Sequence, residues 1–139
     1  MSRIYVDTSA LIKRARDETE SQVLRNWLKG KIIGGAQLFT SDVTLVEVER
    51  ALRALSSREA ANDYPISLAV QLAVAGISVV PLDGSVLRMA RWIGPDSLRT
   101  LDALHLATAV LNGAVTLITY DRRLAAAAES VKLTVESPR

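Results

Sequence analysis

Four acidic residues stand in this sequence where a charge is costly to keep: Asp7, Glu47, Asp102 and Asp121. Asp7 closes "RIYVD", directly after the apolar, strand-forming run Ile4–Val6, and Asp121 closes "TLITYD" in the same way before "RRLAAAA". In "DVTLVEVERALRAL" the residues Leu45, Val48, Leu52 and Leu55 make a core stripe at helical spacing. Glu49 has Arg53 four residues on and reads as a solvent-facing ion pair, whereas Glu47 has Ala51 at that offset and Val43 at the opposite one. In "TLDALHLATAVLNG" Thr100 is the expected N-cap, which puts Asp102 in the first turn on one stripe with Leu106 and Ala109. Each acid also has a plain explanation: Asp7 and Asp121 as helix caps, Glu47 as a solvated glutamate, Asp102 as a helix-start acid. Taken together they share the lack of a neighbouring cation. Carboxylates brought close raise one another's pKa unless something positive sits among them. A hard divalent ion meets that need with oxygen ligands, and the chain offers no cysteine and a single histidine, which favours Mg²⁺ or Mn²⁺ over zinc. The chemistry that such an ion suits is hydrolysis of a phosphodiester.

The elements that must position these acids alternate. Strands are predicted at Ile4–Val6, Gln37–Thr40, Ile77–Leu82, Val115–Thr119 and Lys132–Val135. Helices are predicted at Ser9–Arg16, Glu20–Lys29, Val43–Leu55, Ile66–Ala75, Ser85–Ile93, Leu101–Leu111 and Arg122–Ala128. Thr19 with Gln22 reads as a capping box, Pro65 as a first-turn residue and Asn112-Gly113 as a helix stop. Strands alternating with helices predict an α/β fold, a mainly parallel sheet of about five strands covered on both faces. Ligands of such folds bind beyond the carboxyl ends of the strands, where the strand order reverses. Asp7 and Asp121 are both assigned to that rim.

The chain has 139 residues, which fits one domain spanning 1–139, with no repeat or linker inside it. Its net charge of +2 is mildly basic and compatible with a polyanionic partner. No apolar run approaches the roughly 20 residues of a membrane helix, no signal peptide is evident, and the lack of cysteine suits a reducing cytoplasm.

The segments "VDTSALIK", "EVERAL", "LDALHLATA" and "TYDRRL", in that order, resemble the PIN domain, and within it the VapC-type toxins of bacterial toxin–antitoxin pairs. The resemblance spans essentially the whole chain. It implies an α/β/α sandwich and a Mg²⁺-dependent endoribonuclease, with Mn²⁺ as a substitute, that cuts structured tRNA or rRNA and so inhibits translation and growth. By motif, Asp7, Glu47, Asp102 and Asp121 are the catalytic acids, and Asp7, Asp102 and Asp121 hold the metal directly or through its water. Thr8, Ser9 and Thr119 are the supporting hydroxyls. The implied partners are RNA, a second copy of the chain and a VapB-type antitoxin, with operator DNA bound only through the antitoxin. The motif does not say whether the cleft takes one ion or two. Helices Glu20–Lys29 and Val43–Leu55 are candidates for the antitoxin surface, with Trp27, Leu28 and nearby arginines as an apolar groove with a basic rim; core packing is the preferred reading of Trp27 itself.

His105 lies three residues after Asp102, near the same helix face, and a packed ring with a backbone hydrogen bond is preferred over a general acid or phosphate contact. Asp83 before Gly84-Ser85 reads as a turn and helix entry rather than a phospho-acceptor. Arg122 and Arg123 read equally as RNA contacts or as helix-surface charge. Two alternatives to the nuclease stay open: a non-catalytic PIN-fold binding subunit, and an aspartate-based phosphatase or phospho-acceptor domain with Asp7 as nucleophile. The latter pattern wants an aspartate at position 9, where Ser9 stands.

Overall fold

The computed structural model describes residues 2–58 and 65–139. Five strands, β1 (Arg3–Val6), β2 (Gln37–Ser41), β3 (Ser78–Val80), β4 (Thr116–Ile118) and β5 (Thr134–Glu136), form one sheet in the order β3-β2-β1-β4-β5. Every pairing is parallel. The helices are α1 (Thr8–Ala15), α2 (Ser21–Ile33), α3 (Asp42–Arg58), α4 (Ile66–Ala73), α5 (Gly84–Ala90), α6 (Thr100–Leu111) and α7 (Arg122–Ser130).

Alternation along the strands sorts the helices into two layers. Ile4, Val6, Leu38 and Ile118 face one side, where they are buried with Leu11 of α1, Leu24 and Leu28 of α2, Val48 and Leu52 of α3, and Ala69 and Ala73 of α4. Tyr5, Phe39 and Leu117 face the other, against Val86 of α5, Leu106 of α6 and Leu124 of α7. A strand buried on both faces has no polar positions to give away, which is why these strands read as continuous apolar runs. The result is an α/β/α sandwich. Its strand order reverses between β1 and β4, so the crevice at their carboxyl ends is the place where a ligand site is expected.

Several local expectations need correction. The third strand is shorter than Ile77–Leu82, since Pro81 has no N–H for a ladder. The last strand starts only at Thr134, because Lys132 takes the left-handed conformation at φ 71°. Thr19 and Gln22 form no capping box: Glu20, at φ 73°, precedes α2 without a side-chain cap bond. Ser21 Oγ instead ties the turn, accepting from Glu18 N and donating to the Arg16 carbonyl. Thr100 is not the N-cap of α6 but its first residue, behind Arg99. Pro65 likewise caps α4 from outside rather than entering its first turn. Of the α3 stripe, Val48 and Leu52 are buried while Leu45 and Leu55 are half-buried.

Candidate active site

Asp7 follows β1, and its backbone N–H continues the ladder to the Ile118 carbonyl. Its side chain turns back to cap α1: Oδ1 accepts from Ala10 N at 3.0 Å and from Ser9 Oγ at 2.7 Å. Oδ2 accepts from Thr119 Oγ1. Burial pushes this carboxyl above its ordinary value, and the donors from Thr119, Ala10 and Ser9 do not fully offset it. Asp121 caps α7 in the same manner through Oδ1, which accepts from Arg123 N and Leu124 N, and its own side chain is exposed. The plain capping role is therefore real for both acids. It also fixes where their carboxylates point.

Two hydroxyls stitch the turns that carry these acids. Thr119 Oγ1, fully buried, donates to Asp7 and accepts from Asp121 N at 2.9 Å. Ser9 Oγ donates to Asp7 and accepts from Tyr120 N at 2.9 Å. The β1–α1 and β4–α7 turns thus form one hydrogen-bonded rim over the point where strand order reverses.

Glu47 enters from α3. Thr8 Oγ1 donates to its Oε1 at 2.9 Å, and His105 Nε2 lies 2.5 Å from the same oxygen. Burial raises the Glu47 carboxyl, but the hydrogen bonds from His105 and Thr8 outweigh it, so the group lies below its ordinary value. The expectation that Glu47 needs a partner is met by a residue 58 positions away. The preferred reading of His105 is overturned: its ring is buried, but its partners are side chains, Glu47 on one nitrogen and Tyr5 Oη at 2.6 Å on the other. No local spacing joins these three residues. The signal that existed was a lone imidazole on an otherwise apolar helix, one turn from Asp102.

Asp102 is the odd member. It is half-buried on α6, and among the described residues nothing donates to it. Burial raises its carboxyl first, then the charges of Asp121 and Glu47, while the Arg99 guanidinium pulls it down; the net direction is upward. These mutual effects put Glu47, Asp102 and Asp121 within electrostatic range of one another. However, no three His, Asp or Glu side chains among the described residues are gathered as a set that could hold one metal ion. Asp7, Asp102 and Asp121 are thus not assembled as a three-carboxylate cage, because two of them are turned onto helix starts. Among the described residues, the oxygens of these four carboxylates without a hydrogen bond are both of Asp102, Oε2 of Glu47 and Oδ2 of Asp121, and Asp7 Oδ2 carries one. An all-oxygen donor set of this kind fits a hard cation that takes one or two carboxylates and keeps several waters.

Beside Asp102 lies a pocket of about 490 Å³ between the α5–α6 loop and α7. Pro95, Leu98, Ala126 and Ala127 line it, with Arg99 and Arg123 at its edge. A larger groove of about 800 Å³ runs between α2 and α4, lined by Ile32, Ile33, Ile66 and Leu72 under Arg14, Arg25 and Lys29. The expected apolar groove with a basic rim exists, but Trp27 and Leu28 do not line it: both pack on the core, and Lys31 stacks over the Trp27 ring. Asp83 caps α5, as a helix entry should.

The family model of the PIN domain matches residues 4–130. The chain is 39% identical to Ribonuclease VapC35 of Mycobacterium tuberculosis, with 97% of this chain and 96% of that protein covered. It is 33% identical to Ribonuclease VapC47 of the same species over 97% of this chain and 96% of that one. Among solved structures it is similar to M. tuberculosis VapC20, a Sarcin-Ricin loop cleaving toxin, at TM-score 0.70 and 17% identity, covering 89% of this chain and 94% of that one. It is also similar to VapBC2 of Rickettsia felis bound to a promoter DNA fragment, at TM-score 0.73 and 12% identity over 99% of both chains.

Proposed function

Since this chain belongs to the PIN-domain family, and within it to the VapC-type toxins, we propose that the acidic rim hydrolyses phosphodiester bonds in structured RNA with the help of Mg²⁺. The protein is a ribonuclease, as the names of its relatives state for them, and as a VapC-type chain it acts as the toxin of a toxin–antitoxin pair. One observation carries the metal-dependent reading: Asp102, half-buried and without a donor among the described residues, is raised by the charges of two further carboxylates, Asp121 and Glu47, of which Asp121 stands on the rim after β4 where strand order reverses. A protein that only bound a partner would have no reason to keep such a charge.

Asp7 Oδ2 and Asp102 are the residues that would hold the ion, and Asp121 would act through one of its waters. Mn²⁺ would serve as a substitute. The ion supplies an acidified water and stabilises charge developing on the phosphoryl oxygens. The chain's own residues do the rest. Thr119 and Ser9 fix the Asp7 carboxylate, Thr8 and His105 fix Glu47, and Arg99 and Arg123 offer guanidinium groups to the phosphates flanking the cut. With its substrate a tRNA or rRNA, the enzyme would act in the cytoplasm and stop translation. The basic-rimmed apolar groove between α2 and α4 suits a segment of the VapB-type antitoxin, apolar on one side and acidic on its flanks. A homodimer, and operator binding through the antitoxin, complete this reading.

Purified protein should cut cellular RNA in Mg²⁺ and not in chelator, and Asp102→Asn should lower cleavage about 10²- to 10³-fold while leaving the fold intact. Undiminished cleavage by a rigorously purified Asp102→Asn protein would sink the assignment.

A further inference from the structure

Glu47 is held unequally. Both of its donors, Thr8 Oγ1 and His105 Nε2, approach Oε1, and among the described residues Oε2 receives none. Behind His105 the bonding continues inward. Tyr5 Oη lies 2.6 Å from His105 Nδ1 and 3.4 Å from Thr44 Oγ1. The Thr44 hydroxyl is 2.8 Å from Thr40 Oγ1, which also donates to the Val6 carbonyl at 2.7 Å. Tyr5 is fully buried on the central strand, edge-on to the Phe39 ring at 5.4 Å between centroids, so its hydroxyl cannot wander.

We propose that Tyr5 and His105 form a buried positioning relay that fixes Glu47 through Oε1 and leaves Oε2 free to orient and deprotonate the attacking water.

The proton assignment follows from the available partners. A phenol is protonated at neutral pH, and Tyr5 is fully buried with Nδ1 of His105 at 2.6 Å, so it acts as an O–H donor. Its one proton goes to the nearest acceptor, Nδ1. That leaves Nε2 carrying the ring hydrogen, and an ionised Glu47 can only accept it. The relay therefore has one sense, Tyr5 to His105 to Glu47, and it links β1, α6 and α3 across the end of the sheet. In the hydrolytic step water gives a proton to Oε2 as its oxygen bonds phosphorus. The P–O bond to the leaving ribose oxygen breaks, and that oxygen is protonated from solvent. His105 and Tyr5 touch neither water nor phosphate. They set the direction of Oε2, and groups that orient functional side chains in this way are typically worth about 10- to 100-fold.

This relay rests on the ribonuclease reading, and two measurements separate the failure of one from failure of the other. His105 is the only histidine in the chain, so the side-chain ¹⁵N spectrum of metal-free protein reports it alone. The expected spectrum shows a fixed tautomer with hydrogen on Nε2, and mixed tautomers in Tyr5→Phe. Hydrogen on Nδ1, alone or together with Nε2, overturns the relay whatever the protein does to RNA. In cleavage assays His105→Leu and Tyr5→Phe should lower kcat about 10- to 100-fold and about 10-fold, with KM unchanged. His105→Gln, whose amide can both accept from Tyr5 and donate to Glu47, should recover most of the loss. Equal kcat for the Leu and Gln variants, compared at matched folded fraction, overturns the positioning role. Absence of cleavage in the unaltered protein would instead strike the ribonuclease reading, with the tautomer still read independently.

Discussion

Replacing Asp7 by Asn should make the metal-free protein more stable while it destroys the enzyme. Asp7 is 3% exposed and accepts from Ser9, Ala10 and Thr119. Asn serves as an N-cap as well as Asp does, so the cap survives the change and the charge does not. An ion taken out of water costs several kcal/mol even after relaxation. Against that, Ala10 N and Ser9 Oγ on Oδ1 each gain roughly 1 kcal/mol more from a charged acceptor than from a neutral one. Thr119 Oγ1, which donates to Oδ2, meets the amide nitrogen of Asn and must turn its proton toward Ser9 Oγ to accept from it. Burial prevails in this balance, since the carboxyl lies above its ordinary value. The gain for Asn at neutral pH is therefore on the order of 1 kcal/mol, or roughly 3 to 5 °C in Tm for a domain of this size. The sign has a pH signature. A carboxyl raised on folding carries no penalty below its unfolded value near 3.8, and the penalty grows as pH climbs through the folded value. Denaturant titrations in chelator from pH 4 to 8 should show the two proteins converging in acid and separating toward neutrality. Mg²⁺ should then reverse the order, stabilising the unaltered protein by about 2.7 kcal/mol at one hundred times its Kd and leaving the variant unmoved. A metal-free variant that is less stable at pH 7, or a gap that does not vary with pH, would refute the reasoning.

Asp102→Asn should cut RNA cleavage about 10²- to 10³-fold and erase the calorimetric heat of Mg²⁺ binding, with Tm in chelator little changed, because no hydrogen bond is lost. Mg²⁺ affinity should fall as pH drops, since the ion must compete with a proton on Asp102, which ionises above the ordinary range, and Arg99→Gln should make that fall begin at higher pH by removing a charge that pulls the carboxyl down. Arg123→Gln should raise KM several-fold with kcat preserved, and it should reduce the salt dependence of RNA binding by about one counterion. Ile33→Asp combined with Leu72→Asp, on the floor of the α2–α4 groove, should abolish co-purification with a co-expressed antitoxin and leave cleavage intact.

What the sequence disclosed was whatever depends on near neighbours. The run Ile4–Val6 ending in Asp7 announces a buried strand and its rim, and the repeat of that pattern at Asp121 locates the second turn. Glu49 with Arg53 is a helix-surface pair, and it forms at 3.2 Å. Asp83 enters a helix as its flanking glycine and serine suggest. The capping box at Thr19 and Gln22 failed because Ser21, between them, had better partners in the preceding turn. The environment of His105 was out of reach for a different reason. Its partners lie 58 and 100 positions away, and helical periodicity says only that the ring is buried. The uneven use of the Glu47 oxygens likewise exists only after α1, α3 and α6 have met.

The four acids differ in how the fold treats their charge, and the difference assigns their work. Glu47 is pulled below its ordinary value by donors, so it stays ionised across the range in which RNA is cut. A carboxylate so stabilised is a weak base toward bulk water, and is better matched to water whose own pKa has already been lowered. Asp102 is pushed the other way by burial and by the charges of Asp121 and Glu47, and the Arg99 guanidinium eases it only in part. A proton could relieve that crowding, but it would leave Glu47 with no acidified water to act on. A cation relieves it and provides the water in the same event. On the proposed reading, the opposite displacements of Glu47 and Asp102 suit a metal-assisted hydrolase.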